Sequence, residues 1–284
     1  MSWFTKWKKN STPAGAGDAR EPVASLLSDT GCQRHENEDS ARIVRAGVGS
    51  HGDRGLLVVV ADGMGGHEAG EVASQAAVEV IEKEYREARG TPGEALEKAF
   101  RAAHEQIFQM AAVNRAMSGM GTTCTALAIV GGQAWAAHVG DSRLYLVREG
   151  NIYQLSEDHT QCMELVRKGL LTEEQARKHD DRNVLIRAMG TRQELSVMTF
   201  PEPMAVRPGD AFVLCSDGLH DLVANGEIRE VVRGAEPAEA CQKLVKMARE
   251  RGGYDNITIA VAAIPPLAGR TGTAKPTREY EVSA

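Results

Sequence analysis

No run of apolar residues in this 284-residue sequence approaches the ~18 needed to cross a bilayer, so no transmembrane segment is expected. The five cysteines, Cys32, Cys124, Cys162, Cys215 and Cys241, are odd in number, form no Cys-x-x-Cys pair and follow no secretory leader. They read as reduced, mostly buried small hydrophobes of a cytoplasmic protein, not as disulfides or zinc ligands. A Gly-x-x-x-x-Gly-Lys-Ser/Thr phosphate loop is missing. Cys124 lies in Gly121-Thr122-Thr123-Cys124-Thr125, without the arginine that a nucleophilic cysteine in a phosphate-cradling loop requires, and reads as a strand residue. A basic excess is also absent. The formal charge of -6 argues against general nucleic-acid binding and suits a protein that gathers cations at carboxylates.

What is present is a chain whose hydrophobic (42%) and charged (25%) fractions are those of a globular protein. Residues 1–22, with Trp3, Phe4 and Trp7 among lysines, and residues 265–284, opening on two prolines, are expected to be a disordered leader and tail. Between them, Val58 to Ala61 reads as a buried strand cut off by Asp62-Gly63. Apolar residues at helical spacing predict helices over Ala69–Arg89 and Glu94–Ala112. Thr122–Val130, Ala134–Val139 and Leu144–Val147, joined by short Gly-containing turns, suggest an antiparallel meander. Ala211–Cys215 predicts a strand ending in an Asp-Gly turn, Pro237–Arg251 a helix, and Asn256–Ile264 a final strand. Strands adjacent through short turns, with helices in separate blocks, indicate an α+β fold.

Asp62, Asp141 and Asp217 each follow an apolar strand and precede Gly or Ser, Asp255 precedes the last strand, and Glu38-Asp39 stands before Ala41–Val44. Singly, each Asp-Gly is an ordinary turn. If the strands lie side by side, however, the carboxylates meet at one rim, where they would repel one another unless a divalent cation joined them. All-oxygen ligands select Mg²⁺ or Mn²⁺. Asp62-Gly63-Met64-Gly65-Gly66-His67 carries more glycine than a turn needs, which points to close backbone approach and to the Gly63 carbonyl as a ligand.

The ordered series of motifs resembles the PPM (PP2C-like) metal-dependent serine/threonine phosphatases of bacteria. It comprises Ser28-Asp29-Thr30-Gly31, Arg34, Asn37-Glu38-Asp39-Ser40, the Asp62 to His67 segment, Gly121-Thr122-Thr123, Gly140-Asp141-Ser142-Arg143, Ser216-Asp217-Gly218-Leu219 and Asp255-Asn256-Ile257-Thr258. The resemblance covers about residues 23–264 and implies a four-layer αββα sandwich of two antiparallel sheets. It implies that Asp62 bridges two Mn²⁺ or Mg²⁺ ions and that Asp217 and Asp255 complete the first. The Gly63 carbonyl would bind the second, with Glu38 and Asp39 acting largely through its waters. Asp141 with Asp217 matches a third, weaker site, and Arg34 matches the arginine that holds the substrate phosphate. A hydroxide bridging the two metals would attack phosphorus. The partners implied are phosphorylated proteins, among them a cognate Ser/Thr kinase and its substrates, met by a monomer. Met64 stands where eukaryotic members carry a histidine proposed as general acid, so a metal-bound water is the preferred acid and His67→Ala is expected to leave the acidic limb of the pH–rate profile in place. Residues 158–191 resemble the family's flap, with a helix over Thr172–His179 capped by Thr172 and Gln175. A catalytically inactive phosphoprotein-binding member and a small-molecule phosphatase are the alternatives.

Overall fold

The computed structural model describes residues 21–49, 52–65 and 69–266, so the leader through residue 20, the tail from residue 267 and His67 lie outside the described residues. Two antiparallel sheets pack face to face with helices outside. The first has the order β1 (Val23–Asp29), β12 (Ile257–Ala263), β11 (Ala211–Cys215), β7 (Arg143–Arg148), β8 (Asn151–Gln154). The second runs β10 (Met204–Ala205), β6 (Gln133–Val139), β5 (Cys124–Val130), β3 (Gly52–Met64), β2 (Asp39–Gly49), with β4 (Gly121–Thr122) on β3 and β9 (Met198–Thr199) on β6.

The unbroken apolar run of β3 follows from burial on both faces. Leu56, Val58 and Val60 point between the sheets and meet Leu144, Leu146, Phe212, Leu214 and Ala260 of the first sheet. Leu57, Val59 and Ala61 face the opposite way, onto α1 (Ala69–Glu87) and α2 (Pro92–Val113), where Ile81, Tyr85, Leu96 and Phe100 wait. The first sheet repeats the pattern outward: Val213, Ile259 and Val261 pack on Ile228, Leu244 and Val245 of α6 (Asn225–Arg233) and α7 (Pro237–Glu250). Each fully buried Val, Leu, Ile or Phe contributes roughly 1.5–3 kcal/mol, so the period-2 division of these runs fixes three apolar layers in register.

Several expectations change. β6 and β7 fall in different sheets, so Gly140-Asp141-Ser142 is a crossover and not a meander turn. β3 does not stop at Asp62. It continues to Met64 because β4 supplies pairing partners for Gly63 and Met64. Asp217-Gly218 is no turn either, but opens the short helix α5 (Asp217–His220) behind Ser216. Asp39 lies inside β2. Within residues 158–191, α3 (Gln161–Arg167) is an additional helix, whereas α4 (Glu173–Arg177) carries the expected capping box, with Gln175 N–H donating to Thr172 Oγ1 at 3.2 Å and Thr172 N–H to Gln175 Oε1 at 2.8 Å.

Candidate active site

Register alone brings the first two acids together, because Asp39 on β2 is the cross-strand partner of Asp62 on β3. Backbone bonds fix the end of β3. The Asp62 carbonyl accepts from Thr123 N–H and Thr122 Oγ1, both at 2.8 Å, and Asp62 N–H donates to Thr123 Oγ1 at 3.0 Å. Gly63 N–H reaches the Glu38 carbonyl at 3.1 Å. A Cβ on Gly63 would overlap the Gly70 carbonyl and stand 2.6 Å from the Glu38 carbonyl oxygen, so only glycine lets β2, β3 and the start of α1 meet here. Gly63→Ala should therefore lower the melting temperature by several degrees, corresponding to a cost of about 1–3 kcal/mol for forced overpacking, with activity falling too. An unchanged melt and turnover would remove the close-approach role.

The first sheet delivers the other acids to the same end. Asp217 leads off α5 after β11, and Asp255 precedes β12, which pairs with β11. The β6–β7 crossover adds Asp141. Convergence shows in the charges. Burial holds the Asp62 carboxyl well above the usual range, and Asp39, Asp217, Asp141 and Asp255 add repulsion in that order. Asp62 keeps some residue-level exposure at the rim, yet protein surrounds its carboxyl, and it is the carboxyl's surroundings that govern its charge. Asp39 is pushed up to about 7, first by burial, although Thr258 and Ser216 hydrogen bonds oppose the shift; Ser216 Oγ donates to Asp39 Oδ2 at 2.8 Å. Asp141 is raised by burial, then Asp217 and Asp158, and Asp217 by burial, with His220 opposing. Asp217 Oδ1 is buried without a hydrogen-bond partner. Such an arrangement is costly until a cation fills it.

Among the described residues no three His, Cys, Asp or Glu side chains form a ready cage around one point. The donor set nonetheless fits Mg²⁺ or Mn²⁺. Mg²⁺ keeps several waters and takes only one or two carboxylates, and the orphaned Asp217 oxygen and the mutually repelling aspartates supply oxygen ligands that lack a counter-charge.

Arg34 stands at the mouth, half-exposed, with Nη2 donating to Asp255 Oδ2 at 2.8 Å and Nη1 3.8 Å from Glu38 Oε2. It lines a small pocket of about 220 Å³ with His35, Glu36, Glu38 and Gly65. A larger cleft of about 790 Å³ is lined by Asp141, Asp217 and Asp255 together with Thr160, Met163 and Arg182. The structure thus brings Glu38, Asp39, Asp62, Gly63, Asp141, Asp217, Asp255 and Arg34 to one end of the sandwich. Sequence reasoning missed His220, whose Nε2–H donates to the Asp141 carbonyl at 3.0 Å, and the Arg143 guanidinium, which forks onto Asp158 at 2.6–3.1 Å. His220 follows Asp217 on the same helix, which was its one sequence signal.

A family model described as Protein phosphatase 2C matches residues 34–252. The serine/threonine protein phosphatase PstP of Mycobacterium tuberculosis is 38% identical over 238 residues, covering 84% of this chain and 44% of PstP, so the chain spans less than half the length of that relative. The serine/threonine phosphatase stp of Listeria innocua is 36% identical over 242 residues, 83% of this chain and 93% of that protein. Among solved structures, M. tuberculosis PstP/Ppp superposes with a TM-score of 0.77 at 35% identity, over 86% of this chain and 99% of that one. The catalytic domain of PstP in complex with two manganese ions gives 0.74 at 35%, over 86% and 98%.

Proposed function

The chain belongs to the protein phosphatase 2C family, and on that premise we propose that it hydrolyses phosphoserine and phosphothreonine monoesters of proteins using two Mn²⁺ or Mg²⁺ ions. Asp62 would bridge them, Asp217 and Asp255 would hold the first, and the Gly63 carbonyl the second, with Glu38 and Asp39 acting largely through its waters. Asp141 with Asp217 would form a third, weaker site. The observation that carries this reading is the meeting of carboxylates from β2, β3, α5 and the β6–β7 crossover in one buried cluster of like charge, with the partly exposed Asp255 from the approach to β12 at its rim. When bound, the ions supply Lewis acidity that lowers the pKa of a water towards neutrality and offsets phosphoryl charge.

The chain's own residues do the rest. The β2–β3 register holds Asp39 against Asp62, and Ser216 keeps the Asp39 carboxylate from turning away. Arg34, whose planar fork suits two phosphate oxygens, stabilises charge on the transferred group. Arg34→Ala is expected to lower kcat/KM towards a phosphothreonine peptide about 10²-fold, with Arg34→Lys recovering only part, since lysine cannot offer the parallel pair of donors. Equal kinetics for all three proteins would remove Arg34 from phosphate binding.

The substrates would be phosphorylated proteins, a cognate Ser/Thr kinase among them, met by a cytoplasmic monomer; no helix among the described residues is long and apolar enough to cross a membrane. Release of inorganic phosphate from a phosphothreonine peptide, with and without Mn²⁺, tests the reading. Metal-independent turnover, or none with the metal present, would overturn it.

A further inference from the structure

Between β1 and β2 the chain runs through residues 30–38 without regular secondary structure, yet this segment carries Arg34 and Glu38. Something must fix it, because a guanidinium that binds phosphate by geometry is of little use on a wandering loop. Asn256 provides the fixing. Its side chain donates Nδ2–H to the Thr30 carbonyl at 3.0 Å and to the Glu36 carbonyl at 2.9 Å, and its Oδ1 accepts from Glu38 N–H at 2.8 Å. Both amide protons and the carbonyl are thus used, on main-chain groups lying on either side of Arg34. Asn256 is itself buried at 4% exposure, and its own N–H donates to Asp255 Oδ1 at 2.8 Å, leaving Oδ2 of the same carboxylate to receive Arg34. Two main-chain bonds also hold the segment: Cys32 N–H to the Gly253 carbonyl at 2.8 Å, on the same turn, and Gly63 N–H to the Glu38 carbonyl at 3.1 Å.

We propose that Asn256 is a positioning residue for phosphate binding: its amide clamps the Thr30–Glu38 segment so that Arg34 is held at the site mouth beside Asp255. The proposal rests on the phosphatase reading and on Arg34 as the phosphate-binding arginine. Nothing but an amide of this length serves. Aspartate keeps the size and the acceptor for Glu38 N–H but turns both donors into an oxygen facing two carbonyls. Alanine leaves all three main-chain groups without the partner.

The test is a double-mutant cycle on the full chain with saturating Mn²⁺, comparing wild type, Asn256→Ala, Arg34→Ala and the double variant. The readouts are kcat and KM on a phosphothreonine peptide, the inhibition constant of inorganic phosphate, and thermal melts. Asn256→Ala is expected to raise KM and the phosphate inhibition constant together by about tenfold, the lower end of what removing an outer-shell partner does. In the Arg34→Ala background the same change should cost less than about twofold, because the guanidinium it places is already gone. A residue that merely stabilises the fold would move the melt and leave the phosphate inhibition constant alone. If Asn256→Ala does not fold, Asn256→Asp carries the same cycle. Equal losses in both backgrounds, or an unchanged phosphate inhibition constant, would overturn the proposal. If wild type itself shows no metal-dependent turnover, the phosphatase reading fails instead.

Discussion

Asp62→Asn is expected to lower metal-dependent kcat/KM on a phosphothreonine peptide by on the order of 10³-fold, equivalent to about 4 kcal/mol of lost transition-state stabilisation. The substitution keeps shape and removes charge where four other aspartates act on one carboxyl. An amide oxygen can still touch a cation but cannot neutralise it, and it cannot serve two ions at once. The same change should have the opposite effect on the metal-free fold. Removing one of several crowded, buried carboxylates relieves repulsion, so in chelator Asp62→Asn should melt higher than wild type while gaining less from Mn²⁺. Activity assays across a Mn²⁺ titration, paired with melts in EDTA, read both effects. Comparable turnover by mutant and wild type would remove Asp62 from the centre of the site.

Chelation of wild type should take activity to background, and restored Mn²⁺ should return it. At a hundred times the dissociation constant, a ligand that binds only the folded state adds about 2.7 kcal/mol, or about 5–10 °C for a domain of this size. That gain should grow with pH. Asp39, raised to about 7 in the metal-free fold against an ordinary carboxylate near 4, stays protonated where the unfolded chain has released its proton. Its contribution to metal-free stability is therefore full below about pH 4 and is lost as pH rises through 7. Bound metal favours the ionised form and expels that proton, so the Mn²⁺-induced shift in melting temperature should increase from pH 6 to pH 8. Two of the buried histidines, His138 held down at about 4 and His159 at about 2, are neutral throughout this window with or without metal, so these two cancel in the difference. A shift that is constant or falls with pH would contradict the protonated-carboxylate account.

Some of this architecture could be read locally, and some could not. The Val58–Ala61 run, the helical spacing after Ala69 and the Thr172–Gln175 capping box are each written within a few residues, and each forms where expected. The α2 start was misplaced by two residues because Thr91 caps ahead of Pro92, with Glu94 reaching back to Thr91 N–H at 2.8 Å. Helix α6 went unread because Ala224, at its start, has no side-chain oxygen to signal a cap; only Glu227 reaches back to Ala224 N–H, at 3.0 Å. The β6–β7 crossover was invisible for a deeper reason. A short Gly-Asp-Ser link serves equally as a hairpin turn or as a step between sheets, and which it becomes depends on β7 finding β11 as a partner, some 65 residues later in the chain.

The sequence by itself determined the chemistry available to this protein: acids beside glycine, no reactive cysteine loop, an arginine upstream, and strands apolar enough to be buried on both faces. Only the tertiary structure decided that those acids share one volume. The Asp39–Asp62 register, the short helix that presents Asp217 and the amide of Asn256 that spans from one sheet end to the Arg34 segment are contacts between residues far apart in the chain. Pairing energies of that kind are absent from any local window, because they arise only when the apolar layers have already fixed which strand ends lie together.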